Sequence, residues 1–284
     1  MRAPGVGTEP EVVVLADPDA VASEAAQRIA ATLSTAVSER GRADWATTGG
    51  SAPSGIYRLL AVPPLRDDVP WESVHLWWGD DRYVPDDHPL SNVQAAEQIL
   101  LNATALAGAS GTGGEPLDIR LGIAAGAPIP TKQVHPFRMA DAIGEGRGPA
   151  WAAARYDTEL RNSGIATRDG WPVFDLVLLG VGPDGHVLSV FPDSEAFDST
   201  DWVLPIPAPS HVEPHVSRAT LNPAILDVAR EVLVVVMGES KAPIVGTIFG
   251  NERDTRSWPA QLVRRDGVTW LLDEAAAASL PHRG

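Results

Sequence analysis

Apolar residues recur along this chain in two rhythms. Short β-branched runs alternate with longer stretches in which apolar positions fall three or four residues apart. Glu11–Ala16 (EVVVLA) predicts a buried strand, and after Asp17 the positions Val21, Ala22, Ala25, Ala26, Ile29, Ala30, Leu33 and Val37 mark one face of a helix. Trp45–Thr48 leads into a glycine turn, with Pro53 suited to the first turn of the next helix. Ser73–Trp78 predicts a third strand ending at Gly79, and Ser91-Asn-Val-Gln94 has the spacing of a capping box opening a helix to about Leu101. Pro149–Leu160 predicts a helix, while Phe174–Leu179 and Val216–Leu221 predict strands. Asn222-Pro223 then suits the start of a short helix. Glu231–Met237 predicts another buried strand, Ser240 a cap for a helix to about Phe249, and Trp270–Asp273 a last strand before an alanine-rich helix. Strands that alternate with helices imply right-handed crossovers and a mostly parallel sheet covered on both faces.

Between Ala103 and Pro149 the rhythm lapses into Gly, Ala, Thr and Pro, which predicts a flexible insertion around short elements, with Gly108–Gly114 its most mobile part. The same kinds of pattern resume afterwards, so the expectation is a single α/β domain over residues 1–284. At 284 residues, 44% hydrophobic and 21% charged, the chain has ample material for a large core. Its 37 acidic and 22 basic residues give a formal charge of −15, which argues against a nucleic-acid partner but not against an anionic substrate. The absence of cysteine removes disulfides, thiol nucleophiles and thiolate ligands. No apolar segment predicts a membrane span or signal peptide, so the expectation is a cytoplasmic protein without a membrane partner.

Four turns carry candidate chemistry, and turns after parallel strands share one edge of a sheet. Thr47-Thr-Gly49-Gly50-Ser51 offers free amides at a helix start, where a phosphate is stabilised. Gly79-Asp80-Asp81-Arg82 sets two acids and an arginine directly after a strand. Gly180-Val-Gly182-Pro-Asp184-Gly-His186 delivers an imidazole, the side chain best suited to act as a base near neutral pH. Gly238-Glu-Ser-Lys241 puts a cation in the first turn of a helix, where the dipole invites an anion to offset it. Arg218 is a further candidate cation. Gly180-x-Gly182-x-x-Gly185 has the spacing of a dinucleotide fingerprint, but Pro183 and Pro192 argue against the helix that such a site needs. The other histidines, His75, His88, His135, His211, His215 and His282, show no metal-ligand spacing; Pro209 and Pro214 argue against a helix joining His211 to His215. The expectation is therefore no metal and no cofactor.

Thr48-Gly-Gly-Ser-Ala-Pro53, Trp78-Gly-Asp-Asp-Arg-Tyr-Val-Pro85 with Ser91-Asn92, and Leu179–Pro192 together resemble the three signature blocks of the 6-phosphogluconolactonases, in the glucosamine-6-phosphate isomerase/6-phosphogluconolactonase family. Gly238-x-x-Lys241-Ala and Trp270-Leu-Leu-Asp273 fit as well. The resemblance implies a doubly wound, Rossmann-like αβα sandwich of the sugar-phosphate isomerase type. It also implies hydrolysis of 6-phospho-D-glucono-1,5-lactone to 6-phosphogluconate in the pentose phosphate pathway. Asp81, Val187 and Ala52 depart from the usual glutamate, threonine and threonine, which touches substrate contacts rather than reaction class.

On that reading His186 activates water, with Asp184 or turn carbonyls fixing its tautomer. Arg82 or turn amides stabilise the oxyanion, and Asp80 orients Arg82 or a sugar hydroxyl. Gly49, Gly50, Ser51, Gly182, Lys241 and Arg218 hold the phosphate and substrate, the partner being a sugar phosphate lactone and the assembly a monomer. A glucosamine-6-phosphate deaminase-type isomerase is the nearest rival, but Arg82 after the acids and Val-Leu-Ser-Val-Phe-Pro after His186 favour the lactonase. A non-catalytic sugar-phosphate sensor would normally be joined to a helix-turn-helix segment with a basic face, and neither is visible in this sequence.

Overall fold

A computed structural model describes residues 9–50, 52–101, 126–250 and 252–281. The first strand, β1 (Glu11–Leu15), leads into the long helix α1 (Pro18–Arg40). Asp17 caps that helix by accepting from the Ala20 amide at 2.8 Å, Pro18 sits in its first turn, and Gly41 ends it at φ 74° with its amide on Val37 O. The buried face of α1 is the predicted set except at Val37, which is half-buried, with Ala36 buried beside it. β2 (Ala43–Thr47), α2 (Ala52–Leu60) and β3 (Val74–Trp78) follow.

Among the described residues seven strands form one sheet in the order β1-β12-β11-β8-β2-β3-β5, and every neighbouring pair is parallel. Its remaining members are β5 (Val134–His135), β8 (Leu176–Leu179), β11 (Val232–Val236) and β12 (Val268–Asp273). Helices pack around it, including α3 (Asn92–Ala95), α4 (Pro149–Asn162), α5 (Ala242–Phe249) and α6 (Glu274–Ala277), so the α/β expectation holds. Trp45, Trp77, Trp78 and Trp270 are wholly buried in the core. β1, expected to be buried, lies at the edge of the sheet and among the described residues pairs only with β12, with Val14 46% exposed. A β-branched run reads alike whether a strand has one neighbour or two.

A second sheet, antiparallel in the order β4-β10-β9, differs from the sequence expectation. β4 (Asp80–Arg82) is a strand and not a strand-to-helix turn; it pairs with β10 (Arg218–Leu221), which pairs in turn with β9 (Val203–Ile206). Gly79 is the junction, donating to Thr47 O in the first sheet and accepting from the Leu221 amide in the second, both at 2.8 Å. A Cβ there would lie 2.5 Å from the end of the Leu188 side chain, so any other residue at this crossing would require that side chain to shift.

The short hairpin β6 (Thr167–Arg168) and β7 (Trp171–Pro172) stands apart. Ser91 does cap α3, accepting from the Val93 amide, but Gln94 bonds Asp87 O instead of closing a reciprocal box. The helix then runs on as a π-helical turn, Ala96–Leu101. Ser240 caps nothing: it lies inside a 3₁₀ turn, Glu239–Lys241, ahead of α5. Of the expected insertion, residues 103–125 lie outside the described residues, whereas 126–149 carry a 3₁₀ turn, β5 and a short helix, Met139–Gly144.

The order in which strands are added reverses between β8 and β2, which run parallel. From β2 the path moves outward to β3, and from β8 it moves the other way to β11. Ligand sites of open parallel sheets lie at the carboxyl ends of such adjacent strands.

Candidate active site

At that switch point a cleft of about 270 Å³ opens between the two sheets. Thr48, Gly49 and Gly50 enter it after β2, Gly180–Pro183 and His186 after β8, and Met237 and Lys241 after β11. The second sheet contributes Asp80 and Arg82 from β4 and Arg218 from β10. Eight of the ten residues singled out in the sequence therefore line one cleft: His186, Arg82, Asp80, Gly49, Gly50, Gly182, Arg218 and Lys241. Asp184 stands directly behind His186, and Ser51 lies outside the described residues.

The β8 turn builds the titratable centre. The Gly182 amide donates to His186 O at 2.9 Å and the Gly185 amide to Gly182 O at 3.0 Å, folding the loop back on itself. The imidazole packs so close to the backbone that a Cβ on Gly182 would sit 2.0 Å from His186 Nδ1. That Nδ1 lies 2.5 Å from Asp184 Oδ1. The carboxylate can only accept, so Nδ1 carries a proton, and in the neutral imidazole the lone pair is then on Nε2. Burial opposes the charge on Asp184, yet hydrogen bonds from His186 and His211 and the imidazole's charge hold its carboxyl well below the usual range.

Three cations face the same space. Lys241 Nζ donates to Val181 O at 2.6 Å, and burial pulls its pKa down, with Asp184 opposing. Arg218 is 1% exposed, stacks 4.9 Å over the Phe191 ring and gives Nη2 to Pro214 O at 3.3 Å. Burial likewise lowers its pKa, against the pull of Asp80. Arg82 gives Nη1 to Leu90 O at 2.9 Å. The Nε atoms of Arg82 and Arg218 and Oδ1 of Asn92 are buried with no hydrogen-bond partner among the described residues, leaving polar capacity unmet beside the cleft.

The two acids of β4 part company. Asp80 accepts from Ser189 Oγ at 2.5 Å and from Asn92 Nδ2 at 3.2 Å; among the described residues no hydrogen bond or ion pair joins it to Arg82. Asp81 is wholly buried and accepts from the amides of Asn92 and Arg82 at 2.7 and 2.8 Å, tying β4 to the start of α3. Burial pushes its carboxyl up to about 7 despite those bonds, the Asp80 charge adding to the rise and Arg82 opposing it. Sequence reasoning assigned no role to Asn92, Ser189, Glu213 or His211, although Asn92 and Ser189 stand inside the recognised blocks. His211 and Glu213 arrive on a proline-rich segment with no pattern to flag them.

Among the described residues no group of three or more His, Asp or Glu is placed to hold a metal ion. No helix among them is long and apolar enough to cross a membrane. The arrangement can take a proton from water beside a polarised carbonyl while cations hold an anionic substituent.

A parallel sheet with a histidine–aspartate turn and three cations at its switch point defines an α/β protein with a polar, charged cleft at the carboxyl ends of its strands. Residues 16–271 match the family described as glucosamine-6-phosphate isomerases/6-phosphogluconolactonase, and the chain belongs to that family. It is 32% identical over 272 residues to the 6-phosphogluconolactonase of Synechocystis sp., covering 95% of this chain and 98% of the relative. To that of Mycobacterium tuberculosis it is 33% identical over 271 residues, again 95% and 98%. The structure of 6-phosphogluconolactonase from Trypanosoma brucei superposes with a TM-score of 0.76 at 26% identity, over 97% of this chain and 100% of that one. A monomeric glucosamine-6-phosphate deaminase shares the fold alone, with a TM-score of 0.65 at 18% identity.

Proposed function

We propose that the protein hydrolyses 6-phospho-D-glucono-1,5-lactone to 6-phospho-D-gluconate, with His186 as the base. The observation that carries this reading is the Asp184–His186 contact at 2.5 Å on a cleft that also holds Arg82, Arg218 and Lys241. The relatives named 6-phosphogluconolactonase over nearly the whole chain support it.

Water attacks the lactone carbonyl carbon while its proton passes to His186 Nε2. Asp184 accepts from Nδ1 and offsets the imidazolium charge that forms. The carbonyl oxygen becomes an oxyanion beside Arg82. Collapse of the tetrahedral intermediate breaks the ring C–O bond, and the departing alkoxide takes the proton back from Nε2. An ester leaving group of this kind needs no covalent enzyme intermediate. The 6-phosphate rests on the Gly49–Gly50 turn with Lys241 and Arg218, which supply charge-assisted bonds. Asp80, held by Asn92 and Ser189, presents its carboxylate to a sugar hydroxyl rather than to Arg82. On this reading the enzyme acts as a cytoplasmic monomer on free sugar phosphate, without cofactor or nucleic-acid partner.

A coupled assay tests the proposal by generating the lactone in place from glucose 6-phosphate and following 6-phosphogluconate above spontaneous hydrolysis. Wild type should accelerate its formation, and His186→Ala should lower kcat by roughly 10²–10⁴-fold with KM little changed. Sugar phosphate bound without lactone consumption would favour a sensor instead.

A further inference from the structure

Asp184 serves two imidazoles. Its Oδ1 takes His186 Nδ1 at 2.5 Å, and its Oδ2 takes His211 Nε2 at 2.8 Å. His211 reaches it from a segment between β9 and β10 that is itself tied down: His215 Nδ1 donates to Pro209 O at 2.7 Å and the Tyr83 amide to Ser217 O at 2.8 Å. One aromatic ring supports all the partners. Phe191 lies 4.6 Å from the His186 ring, 5.8 Å edge-on from His211 and 4.9 Å from the Arg218 guanidinium.

We propose that His211 is a positioning residue for the base: by holding the second oxygen of Asp184 it fixes that carboxylate and keeps His186 unprotonated to lower pH than Asp184 alone would allow. The inference rests on the reading of His186 as the base. Two imidazoles that share one carboxylate titrate as a coupled set. The His211 side chain is 48% exposed and that of His186 14%, so a positive charge is better hydrated at His211 than at His186. A proton held at His211 would match the Asp184 charge and so weaken the pull of that carboxylate on a second proton at His186. Arg218 and Lys241 also act electrostatically on Asp184, and Glu213 lines the same cleft. These groups disfavour or favour a proton on His186 equally with and without His211, so removing His211 isolates its part.

Imidazole NMR titration of wild type, His211→Ala and His211→Gln tests this without substrate. In His211→Ala, His186 should protonate at a pH higher by roughly half a unit to one unit. In His211→Gln, whose amide donates without charge, it should fall between the other two. The acid limb of kcat/KM should move the same way, since a base with a raised pKa is lost earlier as pH falls. A His186 titration identical in wild type and His211→Ala overturns the proposal. An activity loss of equal size at every pH also overturns it, since that is what a merely structural role gives. Lack of lactone hydrolysis by wild type would instead refute the functional reading, with the NMR titration still deciding the role of His211.

Discussion

His186 is held by what is missing from Gly182. With a Cβ there 2.0 Å from Nδ1, the imidazole and a methyl group cannot share the space, and the neighbour on that side is a ring and not a flexible chain end. Gly182→Ala should therefore swing the ring off Asp184 Oδ1 while leaving Lys241 and Arg218 in place. The expected outcome is a kcat lowered by about 10²-fold or more, since displacing a catalytic group by about 1 Å costs that much. Product affinity and thermal midpoint should stay near wild type. A Gly182→Ala variant that turns over at the wild-type rate would show that the base tolerates another rotamer. The histidine, its aspartate and this glycine were readable from sequence because they fall within one short turn, where spacing alone reveals contact. His211 was not: it is 27 positions beyond Asp184 and no local pattern joins them.

At the scale of elements, β4 is where sequence and structure part most. Asp80-Asp81-Arg82 looks like a charged loop because strand signals rest on apolar and β-branched residues. The backbone nonetheless pairs with β10, and the charges are met by Asn92, Ser189, Leu90 O and backbone amides. β9 escaped for a related reason, with Pro205 in its middle reading against a strand. The parallel strands β3, β8, β11 and β12 were legible because a buried run in such a sheet is largely apolar on both faces. Asp81 makes β4 sensitive to pH. Its folded pKa of about 7 exceeds the unfolded value near 3.8, so the native state binds the extra proton between those limits. The associated stability is full below the unfolded value, declines as pH rises, and is gone above about pH 7. Asp81→Asn keeps the acceptor for both amides and removes the buried charge. At pH 8 it should be more stable than wild type by on the order of 1–2 kcal/mol, the advantage shrinking toward pH 4. Urea midpoints at the two pH values measure this, and an advantage that stays constant with pH would mean Asp81 does not titrate in that range.

Over the whole molecule, the cleft is the place where the two sheets meet. β2, β8 and β11 of the parallel sheet and β4 and β10 of the antiparallel one all send groups into it. A ligand held there binds the folded state and not the unfolded chain, and it draws on both sheets at once, so its stabilisation is global. The product 6-phosphogluconate at about 100 times its Kd should raise stability by about 2.7 kcal/mol, a rise of about 5 °C in Tm for a chain of this size. The net charge of −15 does not exclude this, because solvent and salt screen the distant acids while Lys241, Arg82 and Arg218 line the cleft itself, beside Asp80 and Glu213. The two halves of the proposed site should then separate. His186→Ala should keep the Tm rise, because proton transfer plays no part in holding the product. Lys241→Ala should lose most of it and raise KM in the coupled assay, because the cation beside the glycine turn is gone. Differential scanning fluorimetry with product, run on all three proteins, reads both effects. A Lys241→Ala protein that retains the full rise while losing kcat would move the lysine from holding phosphate to chemistry.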